Sequence, residues 1–161
     1  MSQGGAVGTV EDAVGYVLNQ ASTALRAAME QRLRPLDLSV PQYACLELLG
    51  QRPGLSNAEL ARGAFVSRQS MNGVLRGLQD RQLVTRPDLA PHGRARPTEL
   101  TVSGRAALQL ASGAVRDVER RMLAALDHDQ QEGLLNALRA CAAALTEGPL
   151  DPAGAAHAVD R

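Results

Sequence analysis

From Val10 onward, apolar residues return every three or four positions: Val10, Val14, Val17, Ala21, Ala24 and Ala28, with Leu18, Leu25 and Met29 widening the stripe. That period predicts an amphipathic helix, which Pro35 should stop. The stripe is broader than one partner helix needs, so part of it is expected to meet another subunit. Ser39 opens a second helix. It can cap, Gln42 stands three residues on, and Pro41 lies in the first turn, where its missing N–H is harmless. This helix should end near Gly50, before Arg52-Pro53-Gly54. Ser56-Asn57-Ala58-Glu59 has the spacing of another capping box and starts a short helix through about Ala64. Ser67 then caps a longer one, with Met71, Val74, Leu75 and Leu78 as its inward face.

The pattern next changes to short extended runs. Leu83-Val84-Thr85 reads as a strand and Glu99-Leu100-Thr101 as its return, with Asp88, Pro91 and Gly93 in the loop between. Pro97 excludes a central strand but suits an exposed hairpin. Helical periodicity then resumes. Thr101 or Ser103 can cap a helix reaching Leu126, whose face Leu108, Ala111, Val115, Val118, Met122, Ala125 repeats every seven residues and favours helix pairing. Asp127-His128-Asp129-Gln130 starts the last helix, with Leu134, Leu138, Cys141 or Ala142, and Leu145 expected inward. Residues 1–9 are Gly-rich and small, 146–161 are rich in Gly, Ala and Pro, and both read as disordered tails, leaving 10–145 as the folded part. The expected fold is mainly α with a small β-hairpin: a helix-turn-helix and wing at 56–101, flanked by long helices at 10–35 and 103–145.

Charge sharpens this picture. The 161 residues carry no net charge, but the distribution is uneven. Residues 67–105 hold seven arginines against three acids, whereas 1–66 hold five against six and 106–161 five against eight. A basic island of this kind is the electrostatic footprint of a phosphate-bearing partner. All 17 basic residues are Arg, so Arg at any one position carries little weight by itself.

A helix-turn-helix works because its first helix braces the second, which lies in the major groove with its N-terminal exposed residues at the base edges. Leu60 and Ala61, Val66 at the turn, and Met71 with Val74 fit the packing positions, with Ala61 small enough for a close crossing. The outward residues of the second helix are Arg68, Gln69, Ser70, Asn72 and Arg76. Arg forks onto guanine, Gln and Asn pair with adenine, and Ser adapts. Ser67 and the free N–H groups beside it can hold a phosphate. Arg94 and Arg96 at the wing tip, flanked by Arg86, suit a narrow minor groove. The expected partner is therefore double-stranded DNA.

These residues carry a family resemblance. Leu60-Ala61, Val66-Ser67-Arg68-Gln69-Ser70-Met71, Leu78 with Leu83-Val84-Thr85-Arg86, and Gly93-Arg94 leading into Leu100-Thr101-Val102-Ser103-Gly104 resemble a MarR-family winged helix-turn-helix regulator, over about 10–145. The resemblance implies a homodimer joined through its first and last helices on a pseudo-palindromic operator. It further implies a transcriptional regulator, most often a repressor, that a small molecule or an oxidant releases. Carried onto this chain, it makes Arg68, Gln69, Ser70, Asn72 and Arg76 reading or phosphate residues and Arg94 the wing-tip arginine. Two positions depart from the family pattern. Phe65 stands where the turn often has Gly, which suggests a turn anchored by apolar packing. His92 replaces the Asp that usually orients the wing arginine.

The remaining chemistry is sparse. Cys45 and Cys141 lie outside any CxxC spacing, fit a reducing compartment, and read as small core residues. A cysteine-based redox-responsive regulator stands as one alternative, and a winged helix that contacts proteins rather than DNA as another. His92, His128 and His157 are scattered without ligand spacing, so no metal and no cofactor are expected. No GxSxG or GxxxxGK occurs, and no enzyme activity is expected. There is no basic-then-apolar leader and no apolar run long enough for a membrane, so a soluble cytoplasmic protein is expected. Tyr16 and Tyr43 are the aromatic candidates for contact with a small aromatic effector, with core packing as the competing role of each.

Overall fold

The computed structural model describes residues 9–86 and 97–146. After a 3-10 turn at Val10–Asp12, the elements are α1 (Val14–Leu33), α2 (Val40–Gln51), α3 (Asn57–Gly63), α4 (Arg68–Asp80), β1 (Val84–Thr85), β2 (Glu99–Leu100), α5 (Val102–Leu123) and α6 (His128–Thr146). Expectations for Arg94, Arg96 and His92, and for all but Thr9 and Thr146 of the two tails, fall outside the described residues.

The helix starts follow from side chains. Both proposed capping boxes form: Ser39 accepts from the Gln42 N–H while Gln42 accepts from the Ser39 N–H, and Ser56 does the same with Glu59. Those pairs satisfy donors that a helix start leaves orphaned. Thr101, rather than Ser103, starts α5. Its Oγ1 accepts from the Gly104 N–H at 2.9 Å and donates to the Gln82 carbonyl at 2.7 Å. Pro35 ends α1 as expected, within a 3-10 turn at Arg34–Leu36.

The chain divides into two compact units, Met1–Arg121 and Met122–Arg161. The core of the first is built from Leu33, Leu46, Leu49, Leu60, Met71, Leu75 and Leu78, each at most 1% exposed. Burying each such side chain contributes about 1.5–3 kcal/mol. β1 and β2 pair antiparallel with Val84 opposite Leu100 and Thr85 opposite Glu99. A further antiparallel bridge joins Leu55 to Thr98, so the segment before α3 also edges the hairpin, which the periodicity did not reveal. α5 then passes so close to β1 that a Cβ on Gly104 would lie 1.9 Å from the Leu83 carbonyl oxygen.

In the second unit, Asp127 and Gln130 cap α6 reciprocally, both bonds at 2.9 Å. Gln131 also donates to the Leu123 and Leu126 carbonyls. The expectation of an inward α6 face is corrected here. Leu134, Leu138 and Leu145 are 38%, 41% and 66% exposed, and Cys141 is exposed rather than core. A helical stripe specifies that a face is apolar, not that this chain supplies its cover.

Candidate nucleic-acid interface

α3 and α4 form the reading unit. Ala61 is buried and its carbonyl accepts the Val66 N–H at 3.0 Å, which closes the turn between the helices. Phe65 makes that turn with φ 55 and is 95% exposed. The turn is therefore not anchored by Phe65, contrary to the sequence expectation. Its buried anchors are Leu60 and Ala61, while the aromatic ring projects to solvent from a left-handed residue that glycine would adopt without strain.

Ser67 caps α4, accepting the Ser70 N–H at 3.0 Å. Met71, Leu75 and Leu78 point into the core with no exposed surface, and Val74 is half-buried beside them. By helical geometry the opposite side carries Arg68, Gln69, Ser70, Asn72 and Arg76, all exposed. The structure thus brings these five together with Ser67 on one face at the start of α4. Three of those six are tied internally. The Ser67 hydroxyl donates to Ser70 Oγ at 2.9 Å, and Asn57 Nδ2 on α3 donates to Asn72 Oδ1. Sequence reasoning left Asn57 unassigned. Its place at the first residue of α3 was visible, but its reach to Asn72 was not.

Arg86 follows β1 and is half-buried. At the other end of the unit, Arg81 donates to the Leu36 and Asp37 carbonyls and ties the end of α4 to the α1–α2 connection, so it has a structural task. Of the seven arginines in the basic island, Arg68 and Arg76 are those the described structure leaves outward on α4.

The two tyrosines lie in different settings. Tyr16 is on α1 and 46% exposed. Tyr43 is half-buried on α2, and its hydroxyl donates to Glu47 Oε2 at 3.3 Å. Ser112 of α5 donates to the same carboxylate oxygen at 2.9 Å. Burial, opposed by Ser112 and reinforced by the Glu47 charge, raises the Tyr43 phenol above its ordinary value. Cys45 is fully buried, which pushes its thiol up to about 12 and keeps it protonated and unreactive at neutral pH. Among the described residues no group of His, Cys, Asp and Glu could hold a metal ion, and no helix is long and apolar enough to cross a membrane.

Comparison with known proteins adds an independent line. The MarR family model matches residues 36–95. The HTH-type transcriptional repressor Mb2911 of Mycobacterium bovis is 44% identical over 126 residues, covering 78% of this chain and 91% of that protein. The crystal structure of the Mycobacterium tuberculosis MarR family protein Rv2887 in complex with p-aminosalicylic acid superposes with a TM-score of 0.68 at 42% identity, over 81% of this chain and 98% of that one. The complex of Rv2887 with DNA gives 0.68 at 40% identity, over 80% and 97% of the two chains. With a capped, braced α4 and a two-stranded wing base in the described structure, and a repressor relative matched over most of both chains, this chain belongs to the MarR family.

Proposed function

We propose that this chain is a DNA-binding transcriptional repressor that works in the cytoplasm as a homodimer and leaves its operator when a small aromatic acid binds. The observation that carries the reading is α4, whose core side is fully buried while Arg68, Gln69, Ser70, Asn72 and Arg76 stand together on the other. Those side chains have the chemistry of major-groove readout, and the capped start of α4 can take a phosphate. Arg94 and Arg96 contribute grip from the wing. No catalytic role is assigned to any residue.

The dimer is supported by uncovered apolar surface. On α1, Val14, Val17 and Leu18 are 77%, 46% and 47% exposed. On α6, Leu134, Leu135, Leu138 and Leu145 are likewise exposed. Two-fold docking then sets the half-sites of a pseudo-palindromic operator about one helical turn, ~10 bp, apart.

The effector reading rests on the relatives. Rv2887 is seen with p-aminosalicylic acid and with salicylic acid. In this chain Tyr43 offers a half-buried ring, and the Arg116 charge acts on its phenol. Tyr16 on α1 is the second aromatic candidate.

Fluorescence anisotropy with genomic fragments selected by the purified protein, across a salt series, tests the core of this reading. Tight binding with a steep salt slope is expected. Arg94→Ala should weaken binding on every operator and reduce that slope by about one. Salicylate should raise the melting temperature and release the fragment. No rise in anisotropy with any promoter fragment would instead favour a protein-contact module.

A further inference from the structure

The internal hydrogen bonds of the α4 face decide which of its polar atoms are left to meet a base. Arg68 and Arg76 are donors by nature. The Ser67 hydroxyl proton goes to Ser70 Oγ, which leaves the Ser70 hydroxyl proton free as a donor. Asn72 Oδ1 accepts from Asn57 Nδ2, so the carbonyl of Asn72 is turned to α3 and its NH2 remains. Asn57 is placed to do this by local structure. It is the first residue of α3, immediately after the Ser56 cap, whose N–H and Oγ–H both donate to Glu59 Oε2 at 2.8 and 2.7 Å. Asn57 Oδ1 is itself buried without a hydrogen-bond partner among the described residues. A buried amide with one unpaired oxygen is a poor stabiliser, so its contribution lies in orientation.

We propose that Asn57 is a positioning residue that makes Asn72 a donor-only reader, so that the base pair under Asn72 presents acceptors: guanine N7 and O6, or thymine O4. A bidentate pair with adenine needs the amide oxygen as well as the NH2 on the groove side, and that oxygen is turned away, towards Asn57 fifteen residues earlier in the sequence. Cytosine N4 turns a donor towards the free NH2 and is disfavoured, and adenine, with a donor at N6 and one acceptor at N7, is disfavoured relative to guanine with its two acceptors. This departs from the adenine pairing that the residue type suggests. It rests on the DNA-reading role proposed above and refines its specificity.

The test is selection from a randomised duplex pool at physiological salt with the full chain, its Asn72→Ala variant and two Asn57 variants. Asn72→Ala locates the base pair, as the position where preference flattens, and abasic substitution in one strand at a time identifies which of its two bases Asn72 touches. On that strand the wild type should favour guanine or thymine by roughly tenfold or more. Asn57→Asp keeps the shape, but its carboxylate can only accept. It should draw the Asn72 NH2 inward, present Oδ1 to the groove and move the preference to adenine or cytosine. The added charge will lower affinity on all sequences without hiding that shift. Asn57→Ala frees both ends of the Asn72 amide and should favour adenine; it carries the test if Asn57→Asp does not fold by circular dichroism. Wild-type selection of adenine or cytosine on the strand that Asn72 touches overturns the proposal, as does an unchanged preference in the folded Asn57 variants. If the wild type selects no sequence at all, DNA reading itself fails and the inference goes with it.

Discussion

Phe65 bends the helix-turn-helix with φ 55 while its ring stays 95% exposed. A non-glycine residue held there carries strain of about 1–3 kcal/mol, and so exposed a ring returns little burial. Part of the relief in Phe65→Gly is offset by the freedom glycine gains in the unfolded chain. The net expectation is a gain of about 0.5–1 kcal/mol, read from the urea midpoint. Cys45 sets a second expectation at this scale. Its thiol ionises in the unfolded chain near its ordinary 9.0 but stays protonated in the fold up to about 12. Between those values the unfolded state binds fewer protons, so stability falls as pH rises, by up to about 1.4 kcal/mol per pH unit. Cys45→Ala should flatten that limb in urea titrations above pH 9.0. In native protein at neutral pH, a thiol reagent should label the exposed Cys141 and spare Cys45 until the chain unfolds. Rapid labelling of Cys45 would revive the redox alternative.

At the scale of elements, each helix of the reading unit is fixed at its start by two or three side chains, and α5 is fixed by an absence. Gly104 lets α5 cross β1 where a Cβ would meet the Leu83 carbonyl oxygen at 1.9 Å. Backbone cannot yield as the end of a flexible side chain does. Gly104→Ala should therefore cost about 3 kcal/mol or more and loosen the wing base, seen as a lower melting temperature and faster amide exchange at Val84 and Leu100. Ser56→Ala removes both hydrogen bonds of the Ser56 hydroxyl, the one it accepts from the Glu59 N–H and the one it donates to Glu59 Oε2, and should cost about 1 kcal/mol. Glu59, held below the usual carboxylate range by the Ser56 backbone and side-chain hydrogen bonds, keeps that cap above its ordinary pKa. The contribution is lost as pH falls through the lowered value. Both capping boxes were legible in the sequence because their residues are three apart and act locally. The Leu55–Thr98 bridge was not, because no periodicity marks a single pair between distant segments.

For the whole molecule, the exposed stripes on α1 and α6 argue for a second copy, and the prediction follows from mass action. Light scattering should give twice the 17.0 kDa of one chain. Leu138→Asp places a charge in the α6 stripe and should shift the mass to that of one chain. Operator affinity should then fall by roughly a hundredfold or more as the second reader is lost. A variant still dimeric would remove α6 from the proposed interface.

The sequence by itself determined the helices, the capped starts of α2, α3, α4 and α6, the apolar faces, the basic island and the family, because caps and stripes are written within a few residues of one another. Only the tertiary structure decided the rest. It showed which apolar faces the chain covers for itself, sending Met71 inward and leaving Leu138 out. It put the ring of Phe65 into solvent rather than against the core of the turn. It also turned Asn72 from a free amide into one whose oxygen is held by Asn57. The reason is that cover and hydrogen-bond occupancy depend on which surfaces meet across α3, α4 and the strands. That pairing is set by packing between residues far apart in the chain, not by their order along it.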